Sequence, residues 1–461
     1  MPDFRAEVSS TGSRDSVPGS DVDAPGGSGR LNVRLLLAVV AIALAVKFTV
    51  FGLSIGTSMG LSIPNAENWQ DFSLAYMPAA TALRSGFLPY SDFFYAYPPL
   101  FLYAQAAFSF LPLPSWSGAI PLVAADALTV VPVYLIAGRL WRDRKSLLVS
   151  VLFILGPTNL YYVDYLWLNP PLTTLFLMVS VYFLIEKRYD LSALILAISI
   201  GFKQTALFAL PIFFLVVWRG QRGRSGALRY LLIVASVCVL FSLPYLLTSP
   251  GAYLASIFRV PPDLWDSRLP PNYFQIGVGT GTPVSFNTLD WLTSKWALLS
   301  AGVYSPATLA LPVFIFLVPS TYSWIYSSSS ALVLAGYLVI TVCFGLLLRG
   351  VWKRTSIDQK DILRYVLCAM LLVFTFYPLY KYYVVGVVPF LALMARRRRD
   401  AVGFIAFSLA LMLVPRYFAS WALLITLVWL LRRDAKLQPV WFLRSLLRRS
   451  DRSGTGVPDA A

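Results

Sequence analysis

Histidine is missing from all 461 residues. That absence removes Ser–His and Cys–His nucleophilic catalysis and every His-bound metal, leaving carboxylates, Lys, Arg and Tyr to carry chemistry. Charge is scarce as well: 13% of residues are Asp, Glu, Lys or Arg, while 57% are hydrophobic. A soluble domain carries about 25% charged residues, so a soluble enzyme is excluded. Cysteine is limited to Cys238, Cys343 and Cys368, each inside an apolar run. They read as isolated small fillers with no disulfide framework. No Gly-rich phosphate loop stands between a strand and a helix, which disfavours a nucleotide-sugar or ATP-driven enzyme.

What the chain has in abundance is apolar sequence in serial runs. Such runs mark an all-α polytopic membrane protein, because in lipid the backbone must satisfy its own hydrogen bonds within helices. The formal charge is +16, from 38 Lys+Arg against 22 Asp+Glu. In a membrane chain that excess records cytoplasmic loops obeying the positive-inside rule and calls for no nucleic-acid partner. Basic clusters at 139–145, 187–188, 219–229, 349–360, 396–399 and 432–433 are placed inside on that rule. The spans are then expected near 31–56, 118–138, 147–163, 171–186, 191–204, 205–218, 226–247, 329–349, 362–378, 384–395, 401–414 and 418–431. That makes about twelve transmembrane helices with both termini cytoplasmic.

Residues 1–30, rich in Gly, Ser, Asp and Pro, read as a disordered cytoplasmic tail, and 31–431 as the transmembrane domain. Within it, 57–117 forms a first large outer loop with amphipathic pieces of its own, and 249–328 a second outer segment in which 301–318 is re-entrant. Residues 432–461 set Trp441, Phe442 and Leu443 among Arg444, Arg448 and Arg449, the pattern of a basic amphipathic tail on the anionic leaflet. Membrane lipids are therefore partners, and polar non-helical sequence concentrates on the outer face.

The first outer loop holds most of the chemical signal. Asp71 opens a short helix with small residues at Ala75, Ala79, Ala80 and Ala82, followed by Gly86, Pro89-Tyr90 and Tyr97-Pro98-Pro99-Leu100. An acid at a helix start also suits the helix dipole, and that reading stays open. Cations expected on the outer side are Arg84, Arg259, Arg268, Lys295, Lys381 and Arg416, with Lys203 near an outer helix end. Each is either functional or snorkels to headgroups. Asp126 lies in a span and Asp164 at an outer helix end, where an acid pairs or lines a cavity. Asn159, Asn169 and Asn287 could bond sugar hydroxyls or serve as caps. The other charges are expected at the ends of spans.

The order Asp71, Tyr76, Ala79-Ala80, Gly86, Pro89-Tyr90 and Tyr97-Pro98-Pro99-Leu100 resembles the first external loop of GT-C fold glycosyltransferases. Within that fold it is most similar to mannosyltransferases that use polyprenyl-phosphate-mannose. Gly201-Phe202-Lys203-Gln204 is similar to the Gly-x-Lys of those enzymes near the outer end of a middle span. Asn287 with Trp291 resembles their late Asn-rich loop, and Tyr380-Lys381-Tyr382-Tyr383 before Val388-Pro389-Phe390 resembles their basic-aromatic step. Many relatives carry a paired acid, whereas this chain has Asp71 alone, with Glu67 four residues earlier.

The resemblance implies a cell-membrane enzyme that moves a sugar, mannose, from a polyprenyl-phosphate donor to a lipid-linked or protein acceptor on the extracytoplasmic face. Asp71 would be the base that takes the acceptor proton, and Lys203, Lys381, Arg259 and Arg84 would hold the donor phosphate. Tyr76, Tyr90, Tyr97, Asp164, Gln204 and Asn287 would bind sugar or acceptor. No cofactor is expected, although a divalent cation at Asp71, Glu67 and Asp92 stays open. Two other readings stand beside this one: a lipid-linked saccharide flippase or secondary transporter, and a membrane glycan polymerase or ligase.

Overall fold

The computed structural model describes residues 32–56, then 71–257 without 96, 113, 142 and 221–222, then 274–275, and 329–432 without 355–356, 377–380, 396–397 and 414–415. Arg259, Arg268, Asn287, Lys295, Glu67, the re-entrant stretch and both tails lie outside these residues.

The chain is a helical membrane protein. Its helices are α1 (Val33–Gly56), α2 (Met77–Arg84), α3 (Pro99–Ser109), α4 (Ile120–Leu128), α5 (Val130–Leu140), α6 (Asp143–Ile154) and the single turn α7 (Pro157–Asn159). There follow α8 (Pro171–Ile185), α9 (Tyr189–Phe202), α10 (Leu210–Arg219), α11 (Gly223–Thr248) and α12 (Pro250–Ile257). After the second outer segment come α13 (Ser329–Trp352), α14 (Gln359–Phe376), α15 (Val388–Met394), α16 (Arg398–Leu413) and α17 (Arg416–Arg432). Two short strands, β1 (Phe93–Phe94) and β2 (Phe274–Gln275), pair in parallel and tie the 57–117 loop to the 249–328 segment.

Among the described residues the apolar stretches expected to span lie mostly on helix, but the helices are more broken than the hydropathy implies. Among the described residues four stretches are long and apolar enough to cross a membrane alone: Val33–Gly56, Ser115–Leu140, Lys145–Tyr165 and Gly223–Thr248. Proline explains much of the breakage. Pro121, Pro211 and Pro389 each stand at the second position of an α-helix, where the missing N–H costs nothing. Each of these helices is entered through a tighter 3₁₀ turn, at Ser115–Ala119, Gln204–Ala209 and Lys381–Val387. Between α4 and α5, Pro132 has no N–H to offer the Leu128 carbonyl. Thr129 interrupts the helix there, its hydroxyl turned back onto the Ala125 carbonyl at 2.7 Å.

Small and hydroxyl residues let the helices approach closely, as lipid-embedded packing demands. On the α8–α9 hairpin the Ser180 hydroxyl donates to the Ser192 carbonyl at 2.7 Å, and Ser199 to the Thr173 carbonyl at 2.8 Å. Gly201 near the end of α9 makes a tight contact of this kind, since an added Cβ would stand 2.6 Å from Leu100 Cδ1 of α3 and 3.3 Å from Phe241 Cδ2 of α11. Gly201→Val should therefore destabilise by about 1–3 kcal/mol through overpacking. The fall in thermal unfolding midpoint of the detergent-solubilised protein measures it; an unchanged midpoint would show that α3 and α9 separate freely.

Beside the main core, a second cluster joins Phe51, Phe72, Tyr76, Tyr90, Phe93, Tyr95, Tyr97, Phe101, Trp167, Tyr245 and Tyr253. Ring pairs such as Tyr76–Phe101 at 4.9 Å and Phe72–Trp167 at 5.1 Å meet edge to face, the arrangement the ring quadrupole favours. This cluster anchors the described part of the 57–117 loop onto the helices and fixes the backbone that carries Asp71.

Candidate active site

Asp71 stands at the head of a wide π turn, Phe72–Tyr76, that runs into α2. Ala79 and Ala80 of α2 are buried, so the small-residue face packs inward and holds the turn in place. The Asp71 side chain does not cap this helix. Its Oδ2 instead accepts a hydrogen bond from the Tyr382 hydroxyl at 2.8 Å, across 311 residues of sequence.

Lys203 reaches the same tyrosine from another side. It sits at the break between α9 and the 3₁₀ turn Gln204–Ala209, with extended backbone (φ −158°), and is only 1% exposed. Its ammonium lies 3.5 Å above the centre of the Tyr383 ring and 5.3 Å from those of Tyr382 and Tyr97. Three ring faces stabilise a desolvated cation, each by about 0.5–2 kcal/mol. The ammonium also makes a long 3.4 Å hydrogen bond to the Asn169 carbonyl. Acid and cation thus share Tyr382: Asp71 accepts from its hydroxyl, and Lys203 rests on its face. A cavity of about 10 Å³, room for a group the size of one water, is lined by Lys203, Tyr383, Thr173, Thr174, Pro170 and others.

Tyr76 and Tyr97 complete the surround, their ring centres 5.9 Å apart. Burial above all, then Tyr97 and Asp71 nearby, push the Tyr76 hydroxyl well above the ordinary tyrosine range, which keeps it protonated and able to donate. Gln204 donates from Nε2 to the Ile257 carbonyl at 3.1 Å and so ties the site to the start of the second outer segment.

Residues 139–261 match the family model described as ALG3 protein. Over this stretch, just over a quarter of the chain, it is similar to a family of GT-C type membrane mannosyltransferases. The matched region runs from the end of α5 past α12 and contains Lys203, Gln204, Asn169 and Asp164, while Asp71 and the Tyr382–Tyr383 pair lie outside it. No curated protein matches the chain.

Other expected site residues are placed elsewhere. Arg84 is exposed; its guanidinium donates to the Ser109 carbonyl and lies 5.1 Å from the Phe110 ring centre. Tyr90 is fully buried in the aromatic cluster with φ +69°, and its hydroxyl donates to the Tyr97 carbonyl at 2.7 Å. It thus holds the loop that presents Tyr97. Asp92 gives a carboxylate oxygen to the Leu88 N–H at 2.6 Å. Lys381 begins the 3₁₀ turn Lys381–Val387, and the two tyrosines after it contact Asp71 and Lys203.

Asp164 is fully buried on the wide turn Leu160–Tyr165, and its Oδ2 accepts from the Lys47 ammonium at 3.1 Å. Lys47, inside α1, also pairs with Asp126 of α4, and Asp126 Oδ1 accepts from Asn159 Nδ2 at 2.7 Å. The expectation that charges keep to span ends fails here, because each finds its counter-charge on another helix.

Proposed function

We propose that the chain is a membrane glycosyltransferase that transfers mannose from a polyprenyl-phosphate donor to a lipid-linked acceptor on the extracytoplasmic face of the cell membrane. The observation that carries this reading is the meeting of Asp71 and Lys203 on Tyr382. The family similarity over residues 139–261 supports it.

In this reaction an acceptor hydroxyl attacks the anomeric carbon while Asp71 takes its proton. The bond from that carbon to the phosphate oxygen breaks, a bond to the acceptor oxygen forms, and polyprenyl phosphate leaves with the negative charge. Lys203 stabilises that anion, and its tyrosine cage excludes the water that would screen it. One carboxylate suffices for such a direct displacement, which inverts the anomeric centre.

The assay is transfer of labelled sugar by membranes carrying the protein, supplied with polyprenyl-phosphate-mannose and a lipid-linked oligosaccharide. Lys203→Met should raise the donor KM by roughly ten- to a hundredfold, the size of one charge-assisted contact, and leave the acceptor KM in place. Absence of transfer by the unaltered protein with every polyprenyl-phosphate sugar would remove the reading.

A second reading, a lipid-linked saccharide flippase or transporter, is favoured by one feature, the charges of Lys47, Asp126 and Asp164 inside the helices. Transporter pathways carry such groups. Here all three side chains are fully buried and pair within the cluster, which fits a structural cluster better than a pathway.

A further inference from the structure

Buried polar atoms in a folded protein find partners, and exceptions call for an explanation. Two exceptions stand together next to Lys203. Asn169 is fully buried, yet neither its amide oxygen nor its amide nitrogen has a hydrogen-bond partner among the described residues. The Thr173 hydroxyl, on a side chain 5% exposed, has none either. Asn169 is fixed close to the ammonium because its own carbonyl accepts from Lys203 Nζ. Thr173 lines the same cavity as Lys203.

The local sequence explains why these groups are free. Asn169 precedes Pro170-Pro171, which open α8, a helix of 15 residues. Asn at such a place ordinarily caps the helix. Here the N-cap is Pro170, and no side chain caps the end. The first helical hydrogen bond of this end runs from Thr174 N–H to the Pro170 carbonyl at 2.9 Å. Helix geometry then leaves the Leu172 and Thr173 N–H groups without intrahelical partners. The start of α8, the Thr173 hydroxyl and the Lys203 ammonium therefore border one cavity, and Asn169 lies one hydrogen bond from that ammonium. That is the composition of an anion seat.

We propose that the N-terminus of α8, with Asn169 and Thr173, seats the phosphate of the lipid-linked donor together with Lys203. This rests on the donor reading above and assigns its phosphate. Thr173 and the Asn169 amide donate to phosphoryl oxygens, and the α8 dipole and Lys203 balance the charge as polyprenyl phosphate departs. The two side chains position the leaving group and touch no reacting carbon.

The experiment measures binding, so it does not depend on transfer. The intact protein in nanodiscs is titrated with a short-chain polyprenyl phosphate, with the matching polyprenyl alcohol and with inorganic phosphate, and the phosphate-over-alcohol affinity ratio is read. The ratio cancels tail binding and general effects on folding. Thr173→Val should lower it about tenfold, Thr173→Ser should restore it, and Asn169→Asp, which adds a negative charge, should abolish it. Saturable binding of inorganic phosphate alone, lost in Asn169→Asp, would also support the seat and separate it from a generic lipid-headgroup contact. The proposal is overturned if the unaltered protein shows no preference for phosphate over alcohol, or if Thr173→Val and Asn169→Asp keep it. If binding behaves as expected but no sugar is transferred, the seat stands and the transferase reading falls.

Discussion

Asp71→Asn should reduce sugar transfer by about a thousandfold, roughly 4 kcal/mol of transition-state stabilisation. Asparagine keeps the shape and an oxygen that can accept from the Tyr382 hydroxyl, which Asp71 accepts at 2.8 Å. The fold should persist, with an unchanged unfolding midpoint. What is lost is the capacity to take a proton. Because Lys203 and the α8 terminus are untouched, the loss should fall on kcat while the donor KM stays within about threefold. Transfer within tenfold of the unaltered rate would remove Asp71 as the base. The result also bears on the helix-dipole alternative: a dipole partner at an exposed helix start contributes only about 0.3–1 kcal/mol, and to stability, not to turnover.

Much of the architecture was legible in the sequence because the bilayer permits so few solutions. A long apolar run must be helical in lipid, and α1, α8, α9, α11, α13 and α14 begin and end within a few residues of where hydropathy puts them. The breaks were harder to see. Leu128–Val130 sits in mid-run with no hydropathic dip, and the interruption follows from the hydrogen bond that Pro132 cannot make. The two wide turns, Phe72–Tyr76 and Leu160–Tyr165, leave no compositional trace at all. They matter because a π turn re-aims side chains and recurs at functional sites; here they present Asp71 and Asp164.

For the site, what the sequence revealed was single charges, and what it concealed was their partners. Lys203 stands out because an ionisable group amid apolar sequence costs too much to be idle, and Asp71 because of the small-residue helix, Gly turn and Tyr-Pro-Pro run that follow it. In the basic-aromatic step, Tyr382 meets the carboxylate and Tyr383 is the nearest ring face to the ammonium. Asn169 reads in sequence as a cap or a ligand, and the proline N-cap and an amide without a partner among the described residues favour the second use. Lys47 carries no signal of its pairing within the first span, because its partners lie 79 and 117 residues away. No local pattern encodes a pairing at that distance.

Lys47→Met should be the most destabilising of the charge-neutralising changes in this cluster. Lys47 is the one cation between two fully buried carboxylates, Asp126 and Asp164. Removing it strands both, whereas removing either acid leaves one ammonium facing one carboxylate. Breaking a buried pair from one side costs about 3–5 kcal/mol, so the unfolding midpoint of the solubilised protein should drop well below that of either single acid variant. Of the acids, Asp126 should matter more: it contacts Lys47 and also accepts from Asn159, whereas Asp164 has a single ion-pair contact and an Oδ1 without a partner among the described residues. Asp164→Asn should accordingly be mild. The triple change Lys47→Met, Asp126→Asn, Asp164→Asn should recover most of the loss, because no uncompensated charge remains in the apolar interior. The same variants discriminate structure from chemistry. If the cluster only holds α1 to α4 and the Leu160–Tyr165 turn, Asp164→Asn leaves donor and acceptor KM unchanged. A raised acceptor KM at unchanged stability would instead return Asp164 to the acceptor site that the sequence first suggested.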